Sequence, residues 1–238
     1  MTQHACALEV TYCDKCQDEL ETGQVGCCDS CRTYTFDELS DEAKDEARDA
    51  ERYSEGYLEH EWWKGVYQDA NYFAKRLGLD IGQTVARRYG KGAYTHVNIN
   101  FSGFSSQGDG ACFTGRYEYN PKAIEEVTAE CDDAELIRIA TALTSMQLTQ
   151  RLLGREYFGA TIKTSGNYSH SHSMNCDVDD WGIDEIGEVD EIGFAQLMRD
   201  FADWIYERLE DEHDHLMSDE VVDGYLEDKV FDESGVEV

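Results

Sequence analysis

The sequence predicts an α+β fold: an antiparallel sheet of about four strands, built from two hairpins and covered by helices, with a zinc knuckle at the N-terminus. Three observations predict it. Two polar, glycine-bearing turns, SSQGDG and TSGN, each lie between segments whose apolar residues alternate. Around them run stretches with apolar residues at intervals of three and four, the helical period. Ahead of everything, six of the nine cysteines fall before residue 32. The resulting order is knuckle, two helices, hairpin, two helices, hairpin, helix and short terminal helix. Residues 1–35 read as the knuckle, 36–225 as one acidic α+β domain and 226–238 as an acidic flexible tail. A chain of 238 residues is long enough to bury a core without disulfides.

Each element has a local reason. CDKC, ten residues, then CCDSC gives two turns that deliver four thiolates to one tetrahedral ion. Cys13, Cys16, Cys28 and Cys31 are the ligands with two residues inside each pair, and Cys6 or Cys27 are possible substitutes. Such a closed Zn2+ site is structural, adding folding energy and no water nucleophile. Ser40 caps a helix with Asp41 and Glu42 in its first turn, and Ala43, Ala47 and Ala50 form its small face. A second helix, about Glu59 to Leu77, ends at Gly78. Its Trp62 and Trp63 are core, a partner hot spot or a cofactor platform. Arg87, Arg88 and Lys91 form a local basic cluster, for tying acidic helices down or for holding a phosphate. HVNINFSGF and ACFTGRYEY then pair across SSQGDG. Asn120-Pro121 opens a helix, and Asp132 to about Leu153 reads as a long core helix. The second hairpin turns at Ser165-Gly166-Asn167. From Asp190 to His215, Phe194, Leu197 or Met198, Phe201, Ile205 and Leu209 make a core-facing stripe.

Charge limits the function. Twenty basic side chains stand against fifty-one acidic ones, a formal net charge of -31. This argues against a protein that tracks nucleic-acid phosphates or is drawn to anionic lipid. No signal-peptide pattern and no run of eighteen apolar residues occurs, so a soluble, intracellular protein is expected. Residues 180–238 alone sum to -18 and residues 61–179 to only -2. Solubility, adaptation to high internal salt and recognition of a basic partner all fit this distribution.

The blocks FDELSDEAKDEAR, HEWWKGVYQDA, FSGFSSQGDGACFTG and LMRDFADWIYERLEDEHDHLMSDE resemble those of a family of small acidic proteins encoded by phages and plasmids, sometimes labelled antitoxin-like. The resemblance covers roughly residues 34–225, and SGFSSQGDGACFTG is its most specific block. The cysteine knuckle lies outside it. No catalytic residue is carried over. The resemblance implies a mobile-element setting, where acidic accessory proteins block host defence or bind host enzymes.

Three functions of different class follow. The first is an inhibitor in the host cytoplasm that occupies the nucleic-acid groove of a basic host protein. Asp200, Asp203, Glu207, Glu210 or Asp211, and Asp214 recur along one helix face, with a second acidic face at Asp41, Asp45 and Asp49. That ridge is on the order of 20 Å long at about 1.5 Å per residue. Duplex DNA carries about one charge per 1.7 Å, so a net -18 compares with roughly 30 Å of duplex. The second is a metal-dependent hydrolase or other enzyme, in which His170 and His172 alternate along one strand and meet Asp109 from the other hairpin. The third is an antitoxin-like or structural protein-binding module. His213 and His215, two residues apart on an acidic helix, are expected to be solvated.

Overall fold

The computed structural model describes residue 12 and residues 31–58, 61–86, 93–166, 168–179 and 190–238. It is a mixed α/β protein with six α-helices and antiparallel sheets among the described residues. The chain divides into two compact units, Met1–His60 with Asp214–Val238, and Glu61–His213.

The first unit starts with β1 (Tyr34–Thr35), a 3-10 turn at Phe36–Glu38 and α1 (Asp41–Arg52). Ser40 caps α1 as its sequence requires, its hydroxyl accepting from Ala43 N at 3.2 Å. Ala43 and Ala47 are buried, small enough to bring α6 (Asp219–Leu226) close. β10 (Val230–Phe231) runs antiparallel to β1, with Tyr34 opposite Phe231. Phe36, Leu39, Val222, Leu226 and Phe231 fill the core of this unit. Residues 226–238, expected as a flexible tail, thus include a strand and a buried Phe231. The turn Asp232–Val236 follows, where Asp232 N donates to Val236 O at 2.9 Å. Gly235 has φ 91° and lies so close to the Ala43 carbonyl that a side chain there would strike it. Local composition signalled solvation; a pairing strand and one aromatic anchor decided otherwise.

The second unit runs α2 (Lys64–Leu77), β2 (Leu79–Asp80), β3 (Gly82–Ala86), β4 (Ala93–Val97), β5 (Ile99–Ser102), β6 (Gly110–Phe113), β7 (Gly115–Tyr117), α3 (Ala123–Glu130), α4 (Ala134–Leu152), β8 (Ala160–Thr164) and β9 (Met174–Val178). α5 (Glu191–Leu216) begins in this unit, and the boundary falls within it. Gly78 ends α2 in the left-handed region, φ 87°, with its α-carbon against the Glu118 carbonyl. Asp133 caps α4 by accepting from Glu135 N and Leu136 N, each at 3.0 Å. Asp190 caps α5 through Gly193 N at 2.8 Å.

The strands do not form one four-stranded sheet from two hairpins. The four-stranded sheet has the order β2-β7-β8-β9, while β3-β4 and β5-β6 are separate two-stranded pairs. The physical reason lies at Asn98 and Thr114. Asn98 N donates to Ile81 O at 2.8 Å and Thr114 N to Asn98 O at 3.0 Å, so each long strand breaks there and changes partner. The SSQGDG turn therefore closes β5-β6, and only the second turn belongs to the larger sheet. The β3-β4 hairpin was read from sequence as a basic cluster; Arg87, Arg88 and Lys91 lie outside the described residues. Leu77, Ile81, Phe113, Tyr117, Leu143, Phe194 and Phe201 are fully buried in the unit's single large core. Among the described residues no helix is long and apolar enough to cross a membrane.

Candidate functional site

The SGFSSQGDG loop joins β5 to β6, and Asp109 holds its shape. Asp109 Oδ2 accepts from Ser105 N at 2.9 Å and Ser106 N at 2.7 Å, an internal turn lock that leaves Ser105, Ser106 and Gln107 exposed at the tip. The other predicted motif comes to the same place. A β-carbon on Gly110 would sit 3.0 Å from the His170 ring, so glycine there lets the loop base seat against His170. Ser102 Oγ donates to Ser169 O at 3.4 Å.

His170 and His172 do not alternate along a strand. They flank buried Ser171 in a 3-10 turn, Ser171–Ser173, between β8 and β9. His172 N donates to His170 Nδ1 at 3.0 Å, and Ser173 Oγ to His170 O at 2.7 Å. These side chain to backbone bonds favour a turn over an extended ladder, which the alternation of letters could not show. Cys112 lies beneath; burial pushes its thiol up, against hydrogen bonds from Ser173 and the His170 backbone. An activated thiolate is the opposite case. Among the described residues no group of three His, Cys, Asp or Glu side chains is placed to hold a metal. Of the predicted zinc ligands, Cys31 is half-buried, and Cys13, Cys16 and Cys28 lie outside the described residues together with Cys6 and Cys27.

Beside the loop is an aromatic cluster whose members lie far apart along the chain. The Trp62 ring packs edge-on to Trp63 at 5.9 Å and to Phe101 at 5.6 Å. Phe104, from the loop itself, stacks on Phe101 at 5.9 Å and lies 4.8 Å from the His213 ring and 5.4 Å from Tyr206. Both tryptophans are half-buried core partners. His213 is half-buried against Trp62 and Phe104, whereas a solvated side chain was expected. The residues that cover it lie about 110 and 150 positions away in sequence, beyond the reach of a local reading. Tyr206 OH donates to Gly103 O at 2.9 Å and so ties α5 to the loop. Burial pushes its phenol up, and the nearby carboxylates of Glu210 and Asp109 act in the same direction.

The predicted acidic ridge divides by pairing. Asp200 is not a free ridge residue: Arg138 of α4 holds it, with Gln196 at 2.8 Å, and its side chain is only 19% exposed. Asp203 and Glu207 are exposed and Glu210 half-exposed, and none of the three forms an ion pair among the described residues. Asp214, also exposed, is the first residue of the other unit. On α1, Asp41 stands in solvent at the first turn. Asp45 and Asp49 pair with Arg48 and Arg52, each at 3.0 Å. The same arginines reach α6, where Arg48 grips Asp223 by two bonds of 2.6 and 2.8 Å and Arg52 pairs with Asp219. Projection along a single helix shows the carboxylates but not the cations that cross to them.

A family model described as a domain of unknown function (DUF8835) matches residues 62–219, a stretch that contains the loop, the His170 turn, the aromatic cluster and the ridge. No curated protein and no solved structure matches the chain. With about two thirds of its length matched, the chain belongs to the DUF8835 family.

Proposed function

We propose that this chain is a phage or mobile-element accessory protein that inhibits a basic, nucleic-acid-binding host protein in the host cytoplasm by occupying its groove with carboxylates in place of phosphates. One observation carries this reading. Arginines take up Asp200, Asp211, Asp45, Asp49, Asp219 and Asp223, while Asp203, Glu207 and Glu210 line one face of α5 without a cation among the described residues. Successive members lie about 4.5–6 Å apart along the axis, against about 3.4 Å per phosphate along one DNA strand. Uncompensated charge with that spacing steers a basic groove towards the helix, and the interaction is screened by salt. The exposed SSQGDG tip stands next to this face and offers backbone and hydroxyl groups to the same partner.

The test is affinity capture of the host partner at low and high salt with the parent chain, then with Asp203→Asn, Glu207→Gln, Glu210→Gln and Asp214→Asn combined. The expected result is binding weakened about tenfold or more, with a flatter salt dependence. Unchanged binding and inhibition at low salt by a folded variant would remove the ridge from the interface.

The packing of Gly110 against His170 favours a second reading, a metal-dependent site at the SQGDG loop and the HSH turn. The first reading also retains a structural zinc on Cys13, Cys16, Cys28 and Cys31. Metal analysis of tag-free protein separates the two. Zinc lost in Cys13→Ser but kept in the Asp109→Ala, His170→Ala pair is the expected result. Metal lost only in that pair would support the enzyme.

A further inference from the structure

We infer that the first unit carries a binding site for a guanidinium or primary ammonium group on an apolar stem, in the cavity that the C-terminal segment closes over the end of α1. The cavity measures about 430 Å3, and small-molecule sites span about 300–1,000 Å3. It exists because small residues line it: Ala47 and Ala50 on α1, Gly56 after it and Gly235 in the C-terminal turn. The close approach of Gly235 to the Ala43 carbonyl lays that turn on α1 and brings Glu237 to the cavity wall.

Charge fixes the sign of the ligand. Lys229, also on the wall, donates from Nζ to Glu51 Oε2 at 2.7 Å and to Glu237 Oε2 at 2.9 Å. Burial works against the lysine's charge, but these two bonds hold its pKa above the ordinary value. Two carboxylates thus share one ammonium, and the wall keeps one uncompensated negative charge. An anion would meet a cation already taken, in a chain of net charge -31. A cation meets Glu51, whose side chain is only 15% exposed. Glu51 Oε1 accepts no hydrogen bond among the described residues, so a largely buried carboxylate keeps acceptor capacity for a charged donor.

Aromatic rings fix its type. Tyr57 and Tyr225 line the same cavity and meet edge to face, with centroids 5.2 Å apart. Tyr57 donates its hydroxyl to Leu216 O, which anchors the ring. Burial pushes its phenol up, and Tyr225 and Glu51 act in the same direction, so the ring meets a ligand in its neutral form. Tyr225 is 55% exposed and offers uncovered ring surface at the rim. A carboxylate beside aromatic rings holds an organic cation by charge-assisted hydrogen bonds and cation–π attraction together. That group belongs either to a free amine or guanidine or to a lysine or arginine side chain of a partner.

Titration of the isotope-labelled full chain with n-butylguanidinium in about 0.15 M salt, followed by amide chemical shifts, tests the inference. Saturable shifts at Gly56, Tyr57 and Gly235 are expected, with a Kd on the order of 1 mM or tighter. n-Butylurea, similar in shape but uncharged, should bind about tenfold more weakly or worse. Ala50→Trp fills the cavity from an exposed position on α1 and removes no charge; it should raise the Kd about tenfold or more, as should Glu51→Gln. The ridge variant Asp203→Asn with Glu207→Gln should leave it unchanged. A blocked Gly-Arg-Gly peptide separates the two sources. Tighter binding than that of butylguanidinium assigns an arginine side chain of a partner, and equal or weaker binding a free cation. Shifts that spread over the acidic helices without saturating overturn the inference, as does equal binding of butylurea. A folded Ala50→Trp chain that binds like the parent overturns it too. Should that variant fail to fold, Tyr225→Leu, at the exposed ring, decides in its place by the same criterion.

Discussion

At the scale of single residues, buried polar side chains stand in for missing backbone partners. Gln147 is fully buried, and its amide replaces a strand partner for Phe158. Nε2 donates to Phe158 O at 2.8 Å and Oε1 accepts from Phe158 N at 3.0 Å. Tyr117, whose phenol is pushed up to about 12 chiefly by burial, lies 3.4 Å from the same amide. Replacing Gln147 by Leu keeps the volume but strands a buried N–H and a buried C=O. The expected cost is about 2–4 kcal/mol, read as a lower urea midpoint at constant m-value. Asp133 is similar in kind: burial works against its charge, but hydrogen bonds from Trp204 and from the first turn of α4 hold its carboxyl below the usual value. Sequence marked Asp133 as lying near a helix start, and the fold gave it Trp204.

At the scale of elements, the first unit rests on helix α1 against α6 and on the arginines that cross between them. Arg48, by hydrogen bonding, holds the Asp223 carboxyl below its ordinary value of 3.8. A carboxyl depressed in the folded state adds stability above its unfolded pKa, and that stability is lost as pH falls through the folded value. Arg48→Gln should therefore lower stability by about 0.5–1 kcal/mol at pH 7, the range for a largely solvent-screened pair. The difference from the parent should shrink as the pH falls below the ordinary carboxylate value of 3.8 and vanish once Asp223 is protonated in the folded parent as well. Thermal melts across this range decide it, and a difference that persists in acid would assign the effect to Arg48 packing over the Phe36 ring instead.

At the scale of the whole molecule, the net charge of -31 is unevenly compensated. Where acidic helices meet other helices, arginines neutralise them; where α5 faces away beside the SSQGDG loop, they do not. The ridge from Asp200 to Glu210 belongs to the second unit, which the family match largely covers, and the Cys-rich segment and α1 lie outside the match. Proposed inhibition therefore depends on residues inside the family match.

Periodicity and capping made most helices legible. Ser40, Gly78 and the 190–215 apolar stripe located α1, the end of α2 and α5 to within a few residues, because those signals are local backbone chemistry. Sequence also marked SSQGDG as a turn, since glycine and aspartate favour tight loops wherever they fall. Only tertiary structure decided which strands share a sheet, because Asn98 and Thr114 change partners through hydrogen bonds to residues far away in the chain. It also seated His170 against Gly110, enclosed His213 among aromatic rings and sorted the carboxylates into paired and unpaired. A side chain's charge is written in the sequence, but the cation that neutralises it arrives from another element, and packing alone chooses that neighbour.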